Sequence, residues 1–294
     1  MIVASTISGY LEGIYLRENF GLSDGYVAEL RRAVRQFCSH CGFEPTVDEL
    51  CPHLFSGWLK SLLDAGLAPA TINNKRRMLM TVWKAACRWK RLPRPKTRSV
   101  KKLVEPSPIP TAWTPDQCAR IFDACRRLRG SIAGVPRAAW WLSLFLAVYS
   151  CGERIRAVRL AKTLDCDIDA GTILLRWSTV KTRKNRQVWL TPDAVSAIRS
   201  IYSPTRELLW PWPYGKRHFF RQARRIIESA GVPCPKGEGK NLFQRMRRTS
   251  GSLVEAAGGD GARHLGNTRQ VFEKHYRAAD ICGASQVHLL PVPR

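Results

Sequence analysis

Met246-Arg247-Arg248-Thr249, then His264-Leu265-Gly266-Asn267, then Glu273-Lys274-His275-Tyr276: the reading of these three pieces, all within residues 241–276, decides the fold. A basic cluster comes first, a helix end broken by Gly266 follows, and a tyrosine set late in the chain closes the stretch.

Charge gives the stretch a direction. The chain holds 48 Lys and Arg against 23 Asp and Glu, a formal net charge of +25 over 294 residues. Such an excess strains the compact state unless a polyanion neutralises it. Double-stranded DNA is the polyanion expected here. A membrane surface is the competitor, and the sequence has neither an apolar run of spanning length nor an isolated basic amphipathic tail. A merely solvated basic surface is the bland alternative. Basic cluster, broken helix end and late tyrosine together suggest phosphodiester chemistry on DNA.

The length allows one large domain or two ordinary ones, and 45% hydrophobic residues suffice for a sizeable core. Ten cysteines are scattered without framework spacing, which reads as reduced thiols in a cytoplasmic setting. Cys38-Ser-His-Cys41 with Cys51-Pro-His53 offers half of a zinc site and a poor second half, so buried thiols between packed helices are the expectation, with no metal. The N-terminal Met-Ile-Val-Ala-Ser-Thr lacks the charged and long apolar regions of a signal peptide.

Residues 1–104 read as helical. Tyr26, Leu30, Val34 and Phe37 recur at three- and four-residue spacing, and Leu54, Trp58, Leu59, Leu62 and Leu63 form a second stripe closed by Gly66. Pro69-Ala70-Thr71 opens a third helix with Thr71 as its cap, and Ile72, Leu79, Val82, Trp83, Ala86 and Trp89 on its apolar face. From Ala65 to Val104 there are twelve basic residues and no acidic one. A solvated helix interleaves signs to gain i,i+4 pairs. Lys75, Arg76, Arg77, Lys84 and Arg88, with Lys96, Arg98, Lys101 and Lys102 in the proline-punctuated run after them, are therefore candidate phosphate contacts. Glu105-Pro106-Ser107-Pro108-Ile109-Pro110 marks a linker over 105–112.

Beyond it, Trp113-Thr114-Pro115-Asp116 is a helix start with Thr114 at the cap. Ala138 to Ser150 is almost wholly apolar and should lie at the centre of a core; it runs into Cys151-Gly152-Glu153-Arg154-Ile155-Arg156, which delivers Arg154 near the interior. The period then changes. Residues 172–177 and 187–190 are β-like and bracket Lys181-Thr182-Arg183-Lys184-Asn185-Arg186, a hairpin with a basic tip. Thr191-Pro192-Asp193 starts another helix, and Phe219 to Ala230 another, with Arg217, Arg221, Arg224 and Arg225 exposed.

Taken in order, these pieces resemble the tyrosine recombinases, or phage-integrase family, over nearly the whole chain. Cys151-Gly152-Glu153-Arg154-Ile155 is similar to the family's Thr-Gly-x-Arg-Ile segment, and Lys181-Thr182-Arg183-Lys184 to its catalytic hairpin. Met246-Arg247-Arg248-Thr249 resembles Leu-Arg-His-Thr, and Leu265-Gly266-Asn267 resembles Leu-Gly-His, with Tyr276 nine positions on. No piece is specific alone; five in this order and spacing are. Three positions depart from the pattern: Gln244 stands where His or Lys is usual, Asn267 where His or Trp is usual, and Ala157 where an acid is common.

The resemblance implies a mainly α chain with a small antiparallel β-sheet: a helical core-binding (SAM-like) domain over 1–104, the linker, and an α+β catalytic domain over 113–294. It implies a site-specific recombinase or integrase, assembled as a homo-tetramer on paired DNA sites, cytoplasmic and nucleoid-associated. Arg154 and Arg247 would bind the scissile phosphate, Tyr276 would attack it, and Lys181 would protonate the departing 5′ oxygen, with Lys184 the rival for that role. Gln244 and Asn267 can hydrogen-bond a phosphate oxygen but cannot take the tyrosine's proton. His264 or His275 would then compensate. The scheme needs no cofactor, and no phosphate-binding Gly-rich loop or carboxylate cluster suggests one. Two alternatives stay open at this level: a DNA-binding protein of the same fold that does not cut, and a type IB topoisomerase-like relaxing activity.

Overall fold

The structure is a computed structural model and describes residues 5–106, 109–180, 182–234 and 242–283. The chain divides into two compact units, Met1–Ser107 and Pro108–Arg294.

The first unit is helical. α1 (Ile7–Tyr10), a π-helical turn at Leu11–Tyr15 and α2 (Leu16–Glu18) precede three longer helices, α3 (Asp24–Cys41), α4 (Pro52–Asp64) and α5 (Pro69–Trp89). Their apolar stripes meet in one core: Leu30, Val34 and Phe37 face Phe55 and Trp58 of α4 and Ile72, Leu79, Val82 and Trp83 of α5. Phe55 stacks on Trp83 with ring centroids 5.7 Å apart, and Phe37 meets Trp58 edge-on at 5.6 Å.

Two expectations for α5 need correcting. Its N-cap is Ala68, not Thr71, because Pro69 takes the first helical position, where its fixed φ fits and its missing N–H is not needed. Nor is every cation of its basic run on an open face. Lys75 is buried and donates to the Gln36 side chain of α3, while Arg76 donates from Nε and Nη2 to the Val100 carbonyl at 2.8 and 2.6 Å. The cause is the chain after α5, which folds back along it. Val100 is buried, Asn73 exchanges two 2.9 Å hydrogen bonds with the Leu103 backbone, and its amide also donates to Glu105 at 2.7 Å. Glu105, expected to open the linker, is thus tied to the first unit. Arg77, Arg88, Lys96, Arg98, Lys101 and Lys102 are exposed and Lys84 is half-buried.

The second unit is built around α7 (Arg137–Cys151), whose buried residues run all round it: Trp140, Trp141, Leu144, Phe145 and Val148 among them. Such a helix must be covered on every side. α6 (Pro115–Arg126), started by a capping box between Thr114 and Gln117, packs on it, and the short hairpin of β1 (Ser131–Ile132) and β2 (Val135–Pro136) lies between the two helices in the chain. α8 (Ile155–Arg159) follows, then an antiparallel sheet of β3 (Cys166–Asp167), β4 (Thr172–Leu175) and β5 (Arg186–Trp189) in that order. β4 and β5 pair from Thr172↔Trp189 to Leu175↔Arg186. Their loop is held at both ends: Arg176 forks onto Asp165 at 2.6 and 2.9 Å, and Trp177 N–H donates to Asn185 Oδ1 at 2.8 Å.

Helices α9 (Pro192–Arg199), α10 (Lys216–Ser229), α11 (Leu242–Ala256), α12 (Gly261–Leu265), α13 (Arg269–His275) and α14 (Ala279–Cys282) complete the unit. α10 exposes Arg217, Arg221 and Arg225, but Arg224, expected among them, is half-buried and reaches Glu228 at 3.5 Å. The chain is mainly α with small antiparallel sheets. All ten cysteines are free thiols. Among the described residues no group of three or more His, Cys, Asp or Glu could hold a metal ion, and no helix is long and apolar enough to cross a membrane.

Candidate active site

The site is assembled by α11 from below and by two chain reversals that meet its side chains. Arg247, in the middle of α11, is fully buried. Its Nη1 donates to the Gly152 carbonyl, where α7 ends, and reaches Glu153 Oε2 at 3.4 Å; its Nη2 donates to the Leu265 carbonyl, where α12 ends, at 2.6 Å and reaches Asn267 Oδ1 at 3.4 Å. One guanidinium thus clamps the C-terminal ends of two helices, where carbonyls lack intrahelical partners and attract a cation. Gly152 turns the chain there with φ +58, and a Cβ on it would meet Leu265 Cδ2 at 2.4 Å. Only glycine fits.

Tyr276 lies against the same arginine. Its ring centroid is 5.1 Å from Arg247 Cζ, and the residue is 5% exposed. Ser252, also on α11, donates from Oγ to the Tyr276 carbonyl at 3.1 Å and accepts from Ala278 N–H at 2.9 Å. The tyrosine and the residues after it are thereby pinned to the helix that carries Arg247. Burial alone would raise the phenol's pKa. A hydrogen bond from Gln244, the charges of Arg247 and Arg154, and a hydrogen bond from Arg247 together bring it below its ordinary value of 10.0. Burial pulls the pKa of Arg247 below that of an ordinary guanidinium, with Glu153 and Tyr276 opposing and Arg154 assisting; a guanidinium remains charged through such a shift.

Four of the residues singled out in the sequence therefore gather around the fifth. Arg154, at the N-cap of α8, is near enough to act on Arg247 and Tyr276 through its charge; Gln244 bonds the phenol and Asn267 meets Arg247. Two buried donors at this place, Arg247 Nε and Asn267 Nδ2, have no acceptor among the described residues. Buried donors are rarely left so. Lys181 lies outside the described residues. Lys184 is exposed on the hairpin loop. Neither histidine fills the gap left at positions 244 and 267. His264 Nε2 is hydrogen-bonded to Ser250 Oγ at 2.7 Å, with burial pushing its pKa below 6.5, and it lines a separate cavity with Ser150, Arg186 and Asp260. His275 is exposed, and its backbone carbonyl accepts from Arg248.

Sequence reasoning missed Glu153 and misplaced Arg186. Glu153 is 2% exposed and accepts from Arg186 Nη1, from Arg247 and from the Arg154 N–H at 3.0 Å. Arg186, expected at the hairpin tip, stands in β5 opposite Leu175 and also donates to the His264 carbonyl at 2.5 Å. Glu153 thus carries the buried negative charge between two cations, while position 157 is a buried alanine. One signal was present: a lone acid between the glycine and the arginines of an otherwise basic segment.

No family model matches the chain. A Pseudomonas aeruginosa protein assigned as a tyrosine recombinase, XerC, is 25% identical over 179 residues, 58% of this chain; the chain spans 42% of that relative's length. Among solved structures, the Tn1549 transposon integrase in complex with transposon right end DNA superposes with a TM-score of 0.72 at 14% identity, over 96% of both chains. A lambda integrase dimer bound to a COC′ core site gives 0.71 at 15% identity, over 99% of this chain and 100% of that one. A lambda integrase tetramer bound to a Holliday junction gives 0.69 at 15%, over 95% and 79%. The fold is shared with the Tn1549 and lambda integrases. In sequence the chain is similar to that tyrosine recombinase, and in fold to the Tn1549 and lambda integrases.

Proposed function

We propose that this chain is a site-specific recombinase or integrase that breaks and rejoins double-stranded DNA through Tyr276. Phosphoryl transfer calls mainly for positioning and for charge on the nonbridging oxygens. Arg154 and Arg247 supply that charge, and Gln244 and Asn267 add amide donors. Tyr276, its phenol proton lost to solvent, attacks the scissile phosphorus as the phenolate, forming a 3′-phosphotyrosyl bond as the 5′ oxygen leaves; that oxygen takes its proton from Lys181 or, failing it, Lys184. Rejoining reverses the step with a new 5′ hydroxyl. Because Tyr276 rests on Arg247 of its own chain, each subunit would cleave with its own nucleophile.

The observation that carries this reading is the buried pair of Arg247 and Tyr276 beside two donors, Arg247 Nε and Asn267 Nδ2, that lack acceptors. A phosphate oxygen admitted to this place when DNA binds would give both an acceptor. The DNA complexes of similar fold support duplex DNA as the partner, with the exposed Arg77, Arg88, Lys96, Arg98, Lys101 and Lys102 as phosphate contacts, Lys84 beside them, and residues 1–104 and 113–294 as core-binding and catalytic domains around the 105–112 linker. By the same likeness we propose a homo-tetramer on paired sites, in the cytoplasm with the nucleoid.

The test is a nicked suicide substrate bearing the cognate site, sought in the sequences flanking the gene. A covalent protein–DNA adduct should form with the wild-type chain and vanish in Tyr276→Phe. Tight, salt-sensitive binding without any adduct would make the chain a non-cutting DNA-binding protein.

A further inference from the structure

We propose that a second cavity of the catalytic unit, beside α8 and the start of α10, binds a single unstacked nucleobase together with its phosphate. The cavity measures about 250 Å³. Its wall is aromatic: Trp212, Tyr214, Phe219 and Phe220 line it, with Trp212 5.4 Å from both Tyr214 and Phe219 between ring centroids. Its charged lining is wholly cationic, made of Arg156, Arg159 and Lys216. None of the three pairs with a carboxylate among the described residues, and Arg159 lies over the Phe219 ring with its Cζ 5.7 Å from the centroid. The buried indole Nε1 of Trp212 has no acceptor among those residues either.

These features select one chemistry. Aromatic faces stack any base, and cations pair with a phosphate. The volume falls below the range of roughly 300–1,000 Å³ usual for drug-sized ligands, which limits the occupant to one heterocycle with its phosphate at the rim. The cavity also begins on α8, the helix that Arg154 caps. A ligand of this kind has two sources: a free deoxynucleoside monophosphate, or a base extruded from a duplex. The proposal goes beyond strand cleavage and does not depend on it.

Titration with deoxyadenosine and thymidine 5′-monophosphate, followed by tryptophan fluorescence, tests the first source. Competition between a fully paired duplex and the same duplex with one bulged nucleotide tests the second. Wild type should bind the mononucleotide saturably, prefer the bulged duplex, or both. Tyr214→Ala, at a half-exposed side chain, should weaken either signal about tenfold by removing a stacking face. Tyr214→Phe should restore it, and neither variant should change binding of the paired duplex. A mononucleotide signal alone assigns the cavity to free nucleotides, and a bulge preference alone assigns it to extruded bases. Absence of both in wild type, or their persistence in Tyr214→Ala, overturns the proposal. Failure to bind any duplex would instead count against the proposed DNA function and leave the mononucleotide result readable.

Discussion

Arg247 carries two duties at once, since the guanidinium that faces Tyr276 also ties α7 to α12 through the carbonyls of Gly152 and Leu265. Glu153 makes its burial tolerable: a buried cation without a counter-charge is strongly destabilising. Glu153→Gln removes that charge from Arg247 and Arg186 together, and should lower unfolding free energy by about 3–5 kcal/mol, measured by denaturant titration. A loss below about 1 kcal/mol would mean that the pairing contributes no more than an exposed ion pair does. Tyr276 gives a second prediction at this scale. Its pKa lies below 10.0, with Gln244 the foremost of the groups that lower it, so more phenolate is present at a given pH than for a free tyrosine. The rate of adduct formation should therefore rise with pH and level off before pH 10. Gln244→Ala should move that inflection upward. An unmoved inflection would show that the amide does not act on the phenol.

At the scale of the element, three short helices place the nucleophile, and they pack only because α11 and α12 come very close. A Cβ on Gly261 would stand 2.5 Å from the Gly251 carbonyl oxygen and 2.6 Å from Phe272 Cζ. The first of these is backbone and cannot give way. Gly261→Ala should then push α12 and α13 off α11, costing roughly 1–3 kcal/mol as overpacking does, and should reduce adduct formation with it. Gly25→Ala, where nothing lies within 4 Å, serves as the comparison and should leave thermal stability unchanged or slightly raised. Equal effects of the two substitutions would contradict the close approach.

For the whole molecule the dominant quantity is the net charge of +25. If the exposed cations after α5 meet phosphates, replacing Lys96, Arg98, Lys101 and Lys102 by Gln should flatten the dependence of log Kd on log salt by about 0.9 for each phosphate no longer neutralised. An unchanged slope would show that this segment does not touch DNA. Much of the architecture was legible without coordinates, because it rests on local physics. The 3.6-residue spacing of Leu30, Val34 and Phe37, the unbroken apolar run of α7, the Thr114 cap and the β-like runs of β4 and β5 each state their own element. The motifs likewise pointed to Arg154, Arg247 and Tyr276 as candidates, but not to their neighbours. Lys75 looked like a surface cation and is buried because the chain from Val100 to Glu105 folds back along α5. Arg186 looked like a hairpin tip and turns inward because Glu153 waits there. His264 looked like a spare base and is occupied by Ser250. The sequence by itself determined the elements, the charge and the order of the motifs, since periodicity, capping and composition act over a few residues. Only the tertiary structure decided which cations pair inward, and which side chains surround Tyr276, since partners such as Arg247 and Gly152 lie 95 positions apart and meet through packing alone.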